Sequence, residues 1–293
     1  MSYREALNKE PNIINGTNFN KIKSGLNDFI FGKRVIHTYF RLSENNSNEL
    51  YIFLSAIGFN PGKPYPLFQR ISWESIFSGN ILCIDDPTRF EIDFAPCFYF
   101  GSANNNCLDQ IQNIIKNISR IYNIENSKIY FISSSNGGFA SLYLANKFPR
   151  SICIALNPQL DVDLYLEKQA KIFYNKLNIN SNEYKERLNL YYLIDTKAFI
   201  VIFSNIKCKK DKIQIDNFCK ANSINYNIGL NRIKDNIFLI VTNINAIDPH
   251  LVQPNALFCN FIKNYIFNSN INILNEYIYI YIYILIALEL ILY

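Results

Sequence analysis

Strand-like blocks alternate with helix-like blocks along most of this sequence. Strands are predicted at 36–42, 50–56, 80–84, 128–133, 152–156, 198–203 and 237–241. Helices are predicted at 108–122, 137–148, 162–177, 183–192, 213–221 and 253–266. Strand–helix–strand alternation over about 230 residues predicts an α/β fold, in which helices cover both faces of a mostly parallel central sheet.

The 293 residues contain no Gly/Ser-rich or Pro-rich linker, so a single domain over 1–268 is the simplest division. Segment 161–195 has a wholly helical pattern between two predicted core strands, which makes it a candidate lid. Residues 269–293 form a low-complexity apolar tail. Residues 277–293 of this tail have three interpretations: a translated dinucleotide repeat, a short membrane anchor, or a strand of alternating Tyr and Ile. The repeat is ranked ahead of the anchor.

Composition excludes several classes of protein. Seven cysteines form no Cys-x-x-Cys pair and there are only two histidines, so neither a zinc site of ordinary spacing nor a cofactor is predicted. The odd cysteine count and the absence of a Sec-type signal pattern favour a reduced, cytoplasmic protein, with membrane contact through the tail left open. The net charge of +5 is spread along the chain and does not indicate nucleic-acid binding.

The most informative segment, 130–139, joins a predicted buried strand to a predicted helix through Ser, Asn and Gly. This context is typical of a nucleophile elbow, G-x-S-x-G, with Ser135 at a sharp, strained turn. Small residues are needed two positions before and after the nucleophile, and the chain has Ser133 and Gly137 there. The N-terminus of the helix favours a developing oxyanion. The alternative is a plain Ser/Gly-rich turn that cradles a phosphate.

The two histidines are the candidates for the general base that activates Ser135. His250 follows the last predicted strand and precedes the last helix, as the Ser–acid–His order of α/β-hydrolases requires. His37 precedes the serine and does not fit this order. The sequence therefore favours His250.

The acid is expected in the loop after the sixth predicted strand, where Asp211 is the only carboxylate. It would hold the imidazole tautomer and stabilise the imidazolium. The neighbouring lysines suggest an alternative, a solvated charge cluster on a loop, but Asp211 ranks first as the acid. Asp161, after the fifth predicted strand, is the second choice, and Asp248 is expected to shape the turn before His250.

Two backbone N–H groups are expected to bind the oxyanion. One belongs to Asn136, which follows the nucleophile, and the other to Ala56 or Ile57, in the loop that follows residues 51–55 of the second predicted strand. These groups, with the serine and its partners, predict acyl transfer through a covalent intermediate.

Further pieces of the sequence carry a resemblance to a known family. They lie at 54–58, 68–73, 82–88, 98–101, 133–140 and 157–161. With them, the chain resembles α/β-hydrolase-like proteins encoded in bacterial capsule and surface-glycan loci, and related accessory-secretion proteins that modify serine-rich glycoproteins. The resemblance covers residues 50–260. The departures are Ser133 in place of Gly and a lysine-rich segment around Asp211.

The resemblance implies a Ser–Asp–His triad and the O-acetylation of glycan sugars. We therefore expect a serine esterase or acyltransferase that acts on carbohydrate esters in the modification of surface polysaccharide or glycoprotein. A carbohydrate or acyl-sugar is the expected substrate, and glycosyltransferase or secretion-system proteins are candidate partners. The alternative is a non-catalytic hydrolase-fold module that assists such a partner, and the lysine-rich acid segment motivates it.

Overall fold

The computed structural model describes residues 9–16, 18–56 and 66–267. Its strands are β1 (Asn12–Asn15), β2 (Gly25–Phe31), β3 (Arg34–Arg41), β4 (Leu50–Leu54), β5 (Asn80–Ile84), β6 (Gly101–Ser102), β7 (Asn105–Asn106), β8 (Ile129–Ser134), β9 (Ile152–Leu156), β10 (Phe199–Asn205), β11 (Gly229–Lys234) and β12 (Ile237–Thr242). Its α-helices are α1 (Thr88–Ile92), α2 (Cys107–Ile121), α3 (Ser135–Ala145), α4 (Glu167–Leu177), α5 (Lys185–Leu188), α6 (Lys209–Ala221) and α7 (Ala256–Phe267).

The main sheet has the strand order β1-β2-β3-β5-β4-β8-β9-β10-β12-β11, and β6 and β7 form a separate hairpin. The pairings β2/β3, β3/β5 and β11/β12 are antiparallel, and the others in the main sheet are parallel. The predicted mostly parallel sheet is therefore confirmed. Because the carboxyl ends of parallel strands meet at one edge, the loops after β4, β8, β9, β10 and β12 come together there.

Helices cover both faces of this sheet, as predicted. Along β8, Ile129 and Phe131 point into one core, which includes side chains of α2, α3 and α6. Tyr130 and Ile132 point into the opposite core, against α7 and the 3-10 helix Ile71–Ser75. Burial on both faces explains why the central strands are continuous apolar runs rather than alternating ones.

The structure contains strands that the sequence did not predict. β1 and β2 precede the first predicted strand, and β11 forms a hairpin with β12. β2 carries Asn27 and Asp28 in its middle, and polar residues of this kind are depleted in strands. Asn27 is nevertheless buried, because its side-chain amide donates to the carbonyl oxygens of Lys23 and Gly25 and accepts from the Lys23 N–H.

Segment 161–195 connects β9 to β10 through α4, α5 and the 3-10 helices Val162–Leu164, Ser181–Tyr184 and Tyr191–Asp195. The helix predicted over 162–177 is thus interrupted before α4. Arg187 attaches this segment to the β6–β7 hairpin region, because its guanidinium donates to carbonyl oxygens at Phe100, Ser102 and Ala103. The role of segment 161–195 as a lid stays a prediction.

The predicted tail, 269–293, lies outside the described residues, and so do its anchor, strand and repeat interpretations. Within the described ranges, none of the helices combines the length and the apolar character that a membrane span requires.

Candidate active site

Ser135 occupies the junction between β8 and α3, at the carboxyl edge of the sheet. It is buried and has φ +52°, a backbone conformation that is unfavourable for a residue with a Cβ. At Gly137, an added Cβ would come within 2.2 Å of the carbonyl oxygen of Leu54, so this position of the turn requires glycine. The strand–turn–helix geometry is that of a nucleophile elbow.

Ser133, which departs from the usual glycine, contacts β4 through its side chain. Its Oγ accepts a hydrogen bond of 2.8 Å from the Leu54 N–H. The regular β4/β8 pairing ends at Ile52 and Phe131, so this hydroxyl satisfies a buried donor beyond the end of the ladder. A serine in place of the usual glycine at position 133 therefore stabilises the contact between β4 and β8.

His250 and Asp211 form a close pair at the same edge of the sheet. His250 lies in the 3-10 helix Pro249–Leu251, and its Nδ1 is 2.9 Å from each carboxylate oxygen of Asp211. Burial raises the pKa of Asp211, whereas hydrogen bonds with His250 and Cys208 act in the opposite direction. This contact fixes the ring and leaves Nε2 as the nitrogen that can act on a proton.

The structure corrects the expected surroundings of Asp211. α6 begins at Lys209, four residues before the predicted helix, so Asp211 lies in its first turn rather than in a loop. A carboxylate is favourable in the first turn because it faces the positive end of the helix dipole. The side chain is buried, which differs from the solvated charge cluster considered as its alternative.

The other acids and the second histidine do not contact the ring of His250 in the way that Asp211 does. Asp161 accepts from the Asp163 N–H and from the Asn189 amide, and it caps the helix Val162–Leu164. Asp248 accepts from the backbone N–H of His250 and caps its 3-10 helix, as expected of a turn-shaping residue. His37 pairs with Asp28 on β2 and does not line the cavity described below.

Two buried asparagines hold the His250 loop against the sheet. Asn157, after β9, donates to the carbonyl oxygens of His250 and Val252 at 2.6 and 3.1 Å. Its Oδ1 accepts from the backbone N–H of Asn205, whose own amide donates to the carbonyl oxygens of Ile244 and Pro249. The position of His250 is therefore fixed by the ends of β9 and β10.

The predicted oxyanion donors differ in their surroundings. The Asn136 N–H is among the first of α3, where N–H groups have no acceptor within the helix. The Ala56 N–H donates to the side-chain carbonyl of Gln69 at 2.9 Å. Ile57 lies outside the described residues. The Ser135 hydroxyl donates to Gln159 Oε1 at 3.1 Å. Side-chain carbonyls of two glutamines therefore accept the hydrogen bonds of the Ala56 N–H and the Ser135 hydroxyl.

Ser135, His250 and Asp211 face a common cavity of about 660 Å³. The cavity brings together residues from the loops after several strands. Its other lining residues are Ala56, Gln69, Arg70, Trp73, Ser134, Gln159, Tyr165, Lys207, Cys208, Lys209, Lys210, Asp248, Pro249, Leu251 and Gln253. The three lysines are exposed, so the rim is positively charged. The cavity can hold a small ester group together with an anionic substituent.

Sequence reasoning missed the contacts of Gln69 and Gln159 and assigned no role to Asn205. Gln69, Asn157 and Gln159 do lie in segments that carry the resemblance, which is the one signal that points to them. Asn205 had no signal, because the chain contains 42 Asn residues and a single one carries little information.

No protein-family model and no curated protein matches the chain. Among solved structures, it is similar to the capsule O-acetyltransferase of Neisseria meningitidis serogroup A, with 17% identity over 84% of this chain and 95% of that chain and a TM-score of 0.59. A histidine-to-alanine mutant of that protein in complex with CoA gives 17% identity, coverage of 83% and 95%, and a TM-score of 0.58.

The chain is also similar to the acylaminoacyl peptidase of Pyrococcus horikoshii, with 12% identity over 84% of this chain and 42% of that longer chain and a TM-score of 0.53. At these identities the likeness concerns the fold. The predicted α/β-hydrolase fold is thereby confirmed.

Proposed function

We propose that this protein is a serine acyltransferase or esterase that acts on carbohydrate esters, and that its reaction is the transfer or removal of an O-acetyl group on a glycan. The observation that carries the proposal is the arrangement of Ser135, at a strained turn, and the His250–Asp211 pair around one cavity. The likeness to a capsule O-acetyltransferase along 95% of that chain supports the choice of substrate class.

In the proposed reaction, the Ser135 hydroxyl attacks the acyl carbonyl and His250 Nε2 takes its proton. Asp211 accepts the Nδ1–H and stabilises the imidazolium. The N–H of Asn136 and the N-terminus of α3 stabilise the oxyanion, and Ala56 contributes its N–H once Gln69 releases it. The leaving group takes the proton from His250 and an acyl-serine remains.

His250 then removes a proton from the acceptor, which attacks the acyl-serine and regenerates Ser135. A sugar hydroxyl as acceptor gives transfer, and water gives hydrolysis. The exposed side chains of Lys207, Lys209 and Lys210 at the rim suit a donor that carries phosphates, such as acetyl-CoA. The complex of the similar acetyltransferase with CoA supports this choice of donor.

Labelling with a fluorophosphonate probe tests the proposal. We expect wild-type protein to be labelled at Ser135, and Ser135→Ala and His250→Ala to lose the label while His37→Ala keeps it. Absence of label on folded wild-type protein would reject an activated serine and favour the partner-module alternative, for which pull-downs with glycosyltransferases are the next experiment.

The choice between transfer and hydrolysis needs a second assay. Acetyl release from acetyl-CoA and from acetylated sugars is measured with and without an acceptor glycan. We expect the acceptor to increase acetyl consumption and to become acetylated. Acetate release that an acceptor does not change would identify an esterase.

A further inference from the structure

A cysteine lies beside the aspartate–histidine pair. The Sγ of Cys208, a carboxylate oxygen of Asp211 and a ring nitrogen of His250 all lie within 4.8 Å of one another. Within the described residues, this is the one group of three or more His, Cys, Asp or Glu side chains close enough to hold a metal ion. Cys208 directly precedes α6 and lines the cavity, so solvent ions reach it.

These three side chains are all ligands that zinc prefers. A tetrahedral zinc ion with bonds of about 2.0–2.3 Å places its ligand atoms about 3.3–3.7 Å apart. His250 Nδ1 and Asp211 Oδ1, at 2.9 Å, must separate slightly, and Cys208 must approach them. The adjustments are about 1.3 Å or less, because no two of these ligand atoms are more than 4.8 Å apart. The cavity leaves room for water as a fourth ligand.

We infer that Cys208, Asp211 and His250 form a binding site for a thiophilic divalent cation, with Zn²⁺ as its representative. Spacing along the chain does not predict this site, because two ligands come from the start of α6 and the third from the loop after β12. The triad pair supplies two of the ligands, and Cys208 supplies the soft third one that selects zinc over magnesium or calcium.

The consequence for His250 rests on the proposed function. Zinc replaces the thiol proton, which is released to solvent, and binds Nδ1, whose proton moves by way of solvent to Nε2. The remaining ring proton then lies on Nε2, so this nitrogen cannot accept the proton of Ser135. Bound zinc therefore inhibits acyl transfer reversibly, and a chelator restores it.

The lysines at the rim oppose this cation. Lys207, Lys209 and Lys210 are exposed around the same cavity, and their repulsion lowers the local zinc concentration. Salt screens exposed charges, so zinc affinity should rise with the concentration of an inert salt such as sodium perchlorate.

Binding is tested on the full chain with metal alone, by titration calorimetry with Zn²⁺ and by absorption with Co²⁺. We expect one ion per chain and a sulfur-to-cobalt charge-transfer band in wild-type protein and in Cys219→Ser, which alters a buried cysteine of α6 outside the group. In Cys208→Ser the band should vanish and zinc affinity should fall at least about tenfold, since loss of a direct ligand costs no less than loss of a hydrogen-bond partner of a ligand. Equal binding by Cys208→Ser, or no uptake by wild type, would overturn the site.

Inhibition is tested by the rate of fluorophosphonate labelling, with each variant compared with its own metal-free rate. We expect zinc to lower the rate in wild type and Cys219→Ser in proportion to occupancy, and to have little effect on Cys208→Ser. Unchanged labelling of zinc-loaded wild type would overturn the inhibitory role. A wild type that is never labelled would reject the proposed function, whereas calorimetry and the cobalt band still decide the metal site.

Discussion

His37 and His250 each contact an aspartate through Nδ1, at 2.8 Å from Asp28 and 2.9 Å from Asp211. Their side chains are equally accessible, at 25% and 24%. Asp28 and His37 are opposite each other on antiparallel β2 and β3, so strand register alone brings them together. Asp211 and His250 follow β10 and β12 and face the cavity of Ser135. An aspartate–histidine contact therefore does not define a site; its place at the carboxyl edge of the parallel strands does.

The largest difference in kcat is expected between variants of the two histidines. His250→Ala should lower kcat for hydrolysis of an aryl acetate by about 10⁵-fold or more, because the general base is lost. His37→Ala should change kcat by less than about twofold, since removing a group outside the catalytic unit leaves the barrier intact. Comparable losses of kcat in both variants, with folding verified by circular dichroism, would contradict the claim that only the pair at the carboxyl edge is catalytic.

Variants of the two aspartates, Asp211 and Asp28, should differ in kcat in the same direction as the histidine variants. Asp211→Asn is expected to lower kcat by about 10⁴-fold, because the amide favours the wrong tautomer of His250. Asp28→Asn is nearly the same change at the other pair and should leave kcat almost unaltered. Steady-state kinetics on both variants decides the matter, and an active Asp211→Asn would require a different acid.

A smaller difference in kcat is expected between variants of two buried asparagines, Asn157 and Asn27. Asn157→Ala frees the His250 loop and should lower kcat about 10- to 100-fold, because misplacement of a catalytic group by an ångström has such an effect. Asn27→Ala, which removes the amide that holds the start of β2, should cost about 1–3 kcal/mol of stability without a loss of kcat. Urea unfolding and kinetics on both variants separate the two effects, and a kcat loss in Asn27→Ala would contradict the separation.

The smallest difference, in stability rather than in kcat, is expected between two glycines, one in the Ser135 turn and one in the turn between β2 and β3. At Gly137 an added methyl group meets the Leu54 carbonyl oxygen, so Gly137→Ala should lower the free energy of unfolding by about 3 kcal/mol. Gly32, between β2 and β3, has φ +63° and open space around it, so Gly32→Ala should cost only about 1 kcal/mol of backbone strain. Urea midpoints measure both, and equal shifts would mean that the elbow tolerates a side chain.

The fold was predictable where apolar runs are continuous. β8, β9, β10 and β12 are buried on both faces, so their sequences are almost purely apolar and stand out. β2 and β11 lie towards the edges of the sheet and include Asn, Asp, Arg or Lys. Their polar residues hide the strand pattern, which is why the Asp28–His37 pair had no sequence signal.

The candidate site was predictable where chain order constrains it. Ser135 lies between an apolar strand and a helix, and His250 follows the last strand, so position along the chain selects both. The start of α6 was not predictable, because lysines conceal the first turn that carries Asp211. The contacts of Gln69 with Ala56 and of Gln159 with Ser135 join distant segments, and no local pattern encodes them.

The hydrogen bond between the Ala56 N–H and Gln69 has a consequence for the proposed reaction. An incoming ester carbonyl gains almost nothing by displacing Gln69, because it exchanges one neutral acceptor for another. A tetrahedral oxyanion gains, because a charged acceptor forms a hydrogen bond roughly twice as strong. In the proposed reaction, the Gln69 side chain would therefore cancel ground-state binding at the Ala56 N–H, and only the charged transition state would gain free energy from this donor.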